Sequence, residues 1–169
     1  MINWGIIGLG RVSNEFALGF DGLTNANLLG AASKTAKRLI EFKKKFNINE
    51  KYCFSNYEDL IACEEIDIIY IALPHNLHFQ WIIKCLKKGK KVLTEKPATS
   101  SLNDIKKINE IINNKKIFFA EGFMYRYHPQ TKKIISLIEN NEIGDLMSME
   151  SNFGINLIEK RNIFGFKKI

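Results

Sequence analysis

Short apolar runs alternate along this chain with segments whose apolar residues return every three or four positions. The runs at Ile2–Ile7, 27–32, 66–73, Lys91–Thr94 and 116–120 predict strands, several of them apolar on both faces. Between them, Leu102, Ile105, Ile108, Ile111 and Ile112 form one helical stripe. Ser101, or Ser100 before it, is the expected N-cap of that helix, with Asp104 at its positive end. Further helices are expected at about 35–46 and 77–86. Strands buried on both faces and joined by crossover helices make a parallel sheet covered on each side, with right-handed connections. Residues 1–120 therefore predict an α/β, doubly wound parallel sheet of the Rossmann type.

After Glu121 the pattern changes. His128-Pro129 precedes a helix carrying Ile134, Ile135, Leu137 and Ile138, and Ile143-Gly144-Asp145 makes a turn. From 147 to 157 the residues alternate strictly, Met147, Met149, Phe153, Ile155 and Leu157 against polar partners, which predicts a strand with one apolar face. Residues 121–169 thus read as the beginning of a truncated α+β domain, and its strand predicts homo-oligomer contacts, since an uncovered strand seeks a partner.

Composition narrows the classes. A chain of 169 residues, 46% of them apolar, holds one ordinary globular domain and part of another. No apolar run is long enough to cross a bilayer, the N-terminus lacks a signal-peptide pattern, and a cytoplasmic location is expected. Cys53, Cys63 and Cys85 have neither disulfide-framework nor zinc spacing and read as free thiols. The net charge of +7 is spread over small groups such as Lys43-Lys44-Lys45 near predicted helix ends, with no basic stripe among aromatics. Neither a nucleic-acid nor a membrane partner is expected.

Gly8-Leu9-Gly10-Arg11-Val12-Ser13 follows the first strand and opens the first helix. Gly8 suits a tight turn, Gly10 close approach of the backbone to a pyrophosphate, and the amides from Arg11 and Val12 onward an anion. Ser13 stands where the third glycine of this fingerprint usually lies and is small enough for helix–strand packing. A purely structural turn is the competing reading. At the end of the second strand an NAD site usually places a carboxylate on the ribose; here stand Ser33 and Lys34, followed by Lys37 and Arg38. These suit a 2′-phosphate, so NADP is expected, with NAD as the alternative; the cations also fit a solvated helix start.

Four stretches resemble the glucose–fructose oxidoreductase, inositol dehydrogenase and rhizopine-catabolism (Gfo/Idh/MocA) family, nearest its dihydrodiol and xylose dehydrogenase-like branch. They are Gly5-Ile6-Ile7-Gly8-Leu9-Gly10-Arg11, Ala72-Leu73-Pro74-His75-Asn76-Leu77-His78, Leu93-Thr94-Glu95-Lys96-Pro97 and Glu121-Gly122-Phe123-Met124-Tyr125-Arg126-Tyr127-His128-Pro129. The resemblance implies that Lys96 is catalytic, that Glu95 orients it or touches the cofactor, and that a cis bond precedes Pro97. It implies that Leu73, Pro74, Asn76 and His78 line the nicotinamide side, although His78 equally reads as the start of a helix. Arg126 falls on the segment that crosses between domains, where a structural ion pair competes with a cofactor contact. Without the resemblance, Lys96-Pro97 is an ordinary turn after a strand.

The implied activity is NAD(P)-dependent hydride transfer at a hydroxyl-bearing carbon of a sugar, polyol or dihydrodiol, a small-molecule substrate. Family members are about twice this length, so the acid–base partner in their second domain is not expected here. Two other classes stay open: a non-catalytic nucleotide-binding or partner-completing module, and an S-adenosylmethionine-dependent methyltransferase. The methyltransferase leaves Lys96-Pro97 without explanation.

Overall fold

A computed structural model describes residues 1–154. Six strands, β1 (Ile2–Ile7), β2 (Ala26–Ala32), β3 (Cys53–Phe54), β4 (Ile68–Ile71), β5 (Lys91–Thr94) and β6 (Phe119–Glu121), form one sheet in the order β3-β2-β1-β4-β5-β6. Every neighbouring pair is parallel. The crossovers carry α1 (Arg11–Leu18), α2 (Ala36–Phe46), α3 (Tyr57–Ala62), α4 (His75–Lys87) and α5 (Leu102–Lys115).

Alternation along the strands sorts the core into two layers. Ile7, Ile69, Ile71 and Val92 pack against Leu60 of α3, Trp81, Ile82, Cys85 and Leu86 of α4, and Ile108 of α5. Ile6, Ala31 and Tyr70 pack on the other face with Ala17 of α1 and Phe42 of α2. All four residues of β4 are buried, as a central parallel strand requires. Helices therefore lie on both faces, and the expected doubly wound sheet is the fold.

Differences from the sequence expectations are local. The ladder of the fourth strand covers Ile68–Ile71 rather than 66–73, although Ile66 and Leu73 are also buried. The last strand is Phe119–Glu121 rather than 116–120, because α5 runs to Lys115 and closes with Lys116 in the left-handed region at φ 53°. Periodicity did not reveal β3, α3 or the 3-10 turn Glu50–Tyr52. Two strand residues and six helical ones are too few for a period to show.

The chain divides into two compact units, the second starting at Met124. That unit holds a 3-10 turn, Met124–Tyr127, and α6 (Pro129–Glu139), whose N-cap His128 accepts a hydrogen bond at Nδ1 from the Gln130 amide at 3.2 Å. Pro129 enters the first turn, where no amide hydrogen is needed. The strand expected at 147–157 does not form over 147–154, where Met147, Met149 and Phe153 are exposed; 155–157 lie outside the described residues. Alternation supplies a face but not a ladder, and among the described residues this unit offers no second strand to pair with.

Candidate functional site

The parallel register lines up the C-terminal strand ends. Ala32, Ile7, Ile71, Thr94 and Glu121 are successive partners across β2, β1, β4, β5 and β6. The segments that follow them therefore share one rim: the Gly8–Gly10 turn, Ser33 and Lys34, Leu73 and Pro74, Glu95 and Lys96, and Gly122. Strand order reverses between β1 and β4, and ligands of open α/β sheets bind at such a switch point.

Gly8 and Gly10 have different physical jobs. Gly8 sits at φ +89°, and a Cβ there would lie 2.6 Å from the Ala72 carbonyl oxygen, so the turn packs directly on the end of β4. Gly10 has an extended backbone, and a Cβ on it would meet nothing within 4 Å. Its surface is open, which is the space a close-lying pyrophosphate needs. Ser13 is fully buried and donates to the Gly10 carbonyl at 2.8 Å; the Asn14 side-chain Nδ2 donates to the same oxygen at 2.8 Å. Arg11 pairs with Glu15 at 3.0 Å on the exposed side, and Val12 is exposed.

Helix N-termini along the chain are treated unequally. Those of α3 and α5 are capped by Asn56 and Ser101, and acidic residues occupy their first turns. Those of α1 and α2 have neither a side-chain cap nor an acid. Cations at α2 make this sharper: Lys37 and Arg38 lie exposed in its first turn, with exposed Lys34 just before, where the helix dipole disfavours positive charge unless an anion is present. Lys34 Nζ stands 5.6 Å from the centre of the Tyr57 ring. Ser33 is buried and its Oγ accepts from the Thr35 amide at 3.1 Å, leaving its hydroxyl proton to donate.

The turn after β5 is held from three elements. Tyr70 of β4, tilted against Phe16 at 4.0 Å between ring centres, donates its hydroxyl to Glu95 Oε1 at 2.5 Å. Burial, and then the carboxylate beside it, hold the Tyr70 phenol well above its ordinary range. His78 of α4 is fully buried, with Nδ1 2.8 Å from the Pro97 carbonyl oxygen and Nε2 2.8 Å from that of Leu73. Glu121 of β6 accepts from the Ala98 amide at 2.8 Å. The Lys96–Pro97 bond is cis, as the resemblance implied. Lys96 itself is exposed and makes no hydrogen bond or ion pair among the described residues.

A family model described as "Oxidoreductase family, NAD-binding Rossmann fold" (Gfo/Idh/MocA) matches residues 2–123. The chain belongs to the Gfo/Idh/MocA family. It is 31% identical over 165 residues to D-xylose 1-dehydrogenase (NADP(+)) of Hypocrea jecorina, covering 92% of this chain and 42% of that relative. It is 27% identical over 156 residues to trans-1,2-dihydrobenzene-1,2-diol dehydrogenase of Xenopus tropicalis, covering 91% and 47%. Scyllo-inositol dehydrogenase from Lactobacillus casei, solved with NAD(H) and scyllo-inositol, superposes at a TM-score of 0.78 with 29% identity, covering 86% of this chain and 43% of that one. The chain thus spans about half the length of the curated relatives it matches.

Against this family frame, the structure brings Gly8, Gly10, Arg11, Val12, Ser33, Lys34, Arg38, Leu73, Pro74, Asn76, Glu95 and Lys96 to one rim. Pro74 and Asn76 are exposed there. Arg126 belongs to the second unit, on its 3-10 turn, and is exposed. His78 departs from the expected cofactor contact: buried, with both ring nitrogens facing backbone carbonyls, it keeps no nitrogen for a ligand. Tyr70 and Glu121 were missed as site residues. A tyrosine inside an apolar strand reads as core, and only the sheet register reveals that its hydroxyl reaches the next strand's loop. Among the described residues no cluster of histidine, cysteine and carboxylate groups could hold a metal, and no helix is long and apolar enough to cross a membrane.

Proposed function

We propose that the chain binds NADP(H) along this rim and serves hydride transfer at a hydroxyl-bearing carbon of a sugar, polyol or dihydrodiol, with Lys96 as the catalytic residue. The observation that carries the proposal is the shared rim. Two strand spacings, about 10 Å, separate the glycine turn from the lysine turn. Amides at the start of α1 receive the diphosphate over the open surface of Gly10. Ser33, Lys34, Lys37 and Arg38 receive the 2′-phosphate at the uncapped end of α2, and no carboxylate stands at the end of β2 to take a free ribose hydroxyl. Leu73, Pro74 and Asn76 border the place of the nicotinamide. When bound, the dinucleotide supplies the two-electron donor or acceptor. Lys96 hydrogen-bonds the substrate hydroxyl, holds its carbon in line and takes up or returns the hydroxyl proton.

Titration of the chain with both reduced dinucleotides tests the cofactor: NADPH is expected to bind at least about tenfold tighter than NADH, a difference of about 1.4 kcal/mol. Tighter NADH binding overturns the NADP reading. For the chemistry, turnover of a panel of sugars and diols is followed with NADP⁺. Lys96→Met is expected to lower any rate by about 10²–10⁴-fold with NADPH affinity unchanged, and retention of full rate removes Lys96 from its role. Exposed Met147, Met149 and Phe153 favour a second reading, a nucleotide-binding module completed by another chain. That reading gains if NADPH binds tightly and no member of the panel turns over.

A further inference from the structure

We infer that His78 is a positioning residue that fixes the loop after β4 to the lysine turn after β5, and so sets where the nicotinamide lies relative to Lys96. The inference rests on the dinucleotide reading above and assigns His78 no contact with cofactor or substrate.

Its imidazole lies wholly inside the protein, and both ring nitrogens stand 2.8 Å from backbone carbonyl oxygens. Those oxygens belong to Leu73, which leads into Pro74 and Asn76, and to Pro97, which directly follows Lys96. Two loops separated by more than twenty residues are thereby joined through one rigid ring. With each ring nitrogen turned to a backbone carbonyl, this side chain is committed to a bridge and not to a ligand. Among the described residues no backbone–backbone bond does the same work: the ladder between β4 and β5 ends with the Glu95 amide donating to Ile71, short of Leu73 and Pro97. The other contacts of the turn hold different atoms. Tyr70 grips the Glu95 carboxylate and Glu121 the Ala98 amide. Lys96 carries an exposed side chain with no hydrogen bond or ion pair among the described residues, on a backbone fixed on either side of it. A lysine that must meet a mobile ligand with a defined reach needs that arrangement, because the backbone error, and not the side chain's own freedom, limits its aim.

The test compares two probes on the full 169-residue chain: NADPH, and 2′,5′-ADP, which has the adenosine end and both phosphates there but no nicotinamide. His78→Leu removes both ring nitrogens and keeps an apolar filler. It is expected to weaken NADPH by about tenfold, to leave 2′,5′-ADP within about twofold, and to reduce the change in NADPH fluorescence on binding. His78→Gln, whose amide carries two donor hydrogens, is expected to recover most of the loss. A purely structural histidine would move both probes together, and that result overturns the inference, as does an unchanged NADPH affinity in His78→Leu. If the wild-type chain binds 2′,5′-ADP and NADPH equally, the nicotinamide makes no contribution and the inference falls while phosphate binding stands. If it binds neither, the dinucleotide reading falls first and carries the inference with it. Should His78→Leu fail to fold, His78→Asn, which keeps an amide donor on a shorter side chain, carries the same comparison. It must then show the same split between the probes, or the positioning account of the turn is wrong.

Discussion

At the residue scale, the two glycines of the turn differ: Gly8 is packed against the end of β4, and Gly10 is open. Gly8→Ala forces a side chain into φ +89° and onto the Ala72 carbonyl. Positive φ alone costs about 1–3 kcal/mol, and the clash adds to it, so a marked fall in the urea midpoint is expected. Gly10→Ala meets no neighbour within 4 Å and keeps an extended backbone. It should cost only about 0.5 kcal/mol of stability and yet weaken NADPH by more than tenfold, because the methyl occupies the space a diphosphate needs. Equal effects of the two changes on binding and stability would contradict this division. The places of Gly8, Gly10 and Lys96 on the rim were legible in the sequence because each sits in a short motif directly after a strand. His78 was half legible: its place at the start of a helix could be read, but the two carbonyls it meets are brought in by loops distant in sequence. Glu121 could be seen only as the residue before a change of pattern, since its acceptor role depends on the β5–β6 pairing.

At the element scale, the strands and long helices could be read because each repeats its period often enough. Apolar residues at 102, 105, 108, 111 and 112 sufficed for α5, and Ser101 does cap it, its Oγ accepting from the Asp104 amide at 3.4 Å. The segment between β2 and β4 was opaque. β3 is a two-residue edge strand, and α3 is a helix of six residues, whose formation depends on its cap and on burying Tyr57, Leu60 and Ile61. Asn56 Oδ1 accepts from the Asp59 amide at 2.8 Å, the usual signature of a side-chain cap. Asn56→Ala is expected to cost about 1 kcal/mol in urea unfolding, with amide exchange in Tyr57–Ala62 accelerating before that of β4. No local acceleration would mean that packing alone, without the cap, holds this helix. The strand expected at 147–157 does not form over its described part, 147–154, because alternation alone is not sufficient. A strand also needs a neighbour, and pattern along one segment says nothing about that.

At the scale of the whole molecule, the buried groups give the folded unit an alkaline weakness. Burial pushes the Cys85 thiol up to about 12 from its ordinary 9.0. The folded state therefore holds this proton where the unfolded chain has released it. The resulting stability is complete below about pH 9 and drains away as the pH rises towards about 12. Tyr70 shifts in the same direction. The urea midpoint is expected to fall between about pH 9 and about pH 11, and Cys85→Ala, though less stable at neutral pH, to fall less steeply. Parallel pH profiles for the two proteins would place the cause elsewhere.

The alignment of strand ends has a consequence for biosynthesis. Its segments come from five separate stretches of the first 122 residues, and the chain leaves the ribosome from its N-terminus. The diphosphate cradle, with β1, α1 and β2, emerges early; the last support of the lysine turn, Glu121, emerges only with the final strand. On the reading proposed above, a polypeptide stalled ahead of β6 would already carry the nucleotide-facing segments while Glu121, the acceptor of the Ala98 amide, is still to be made.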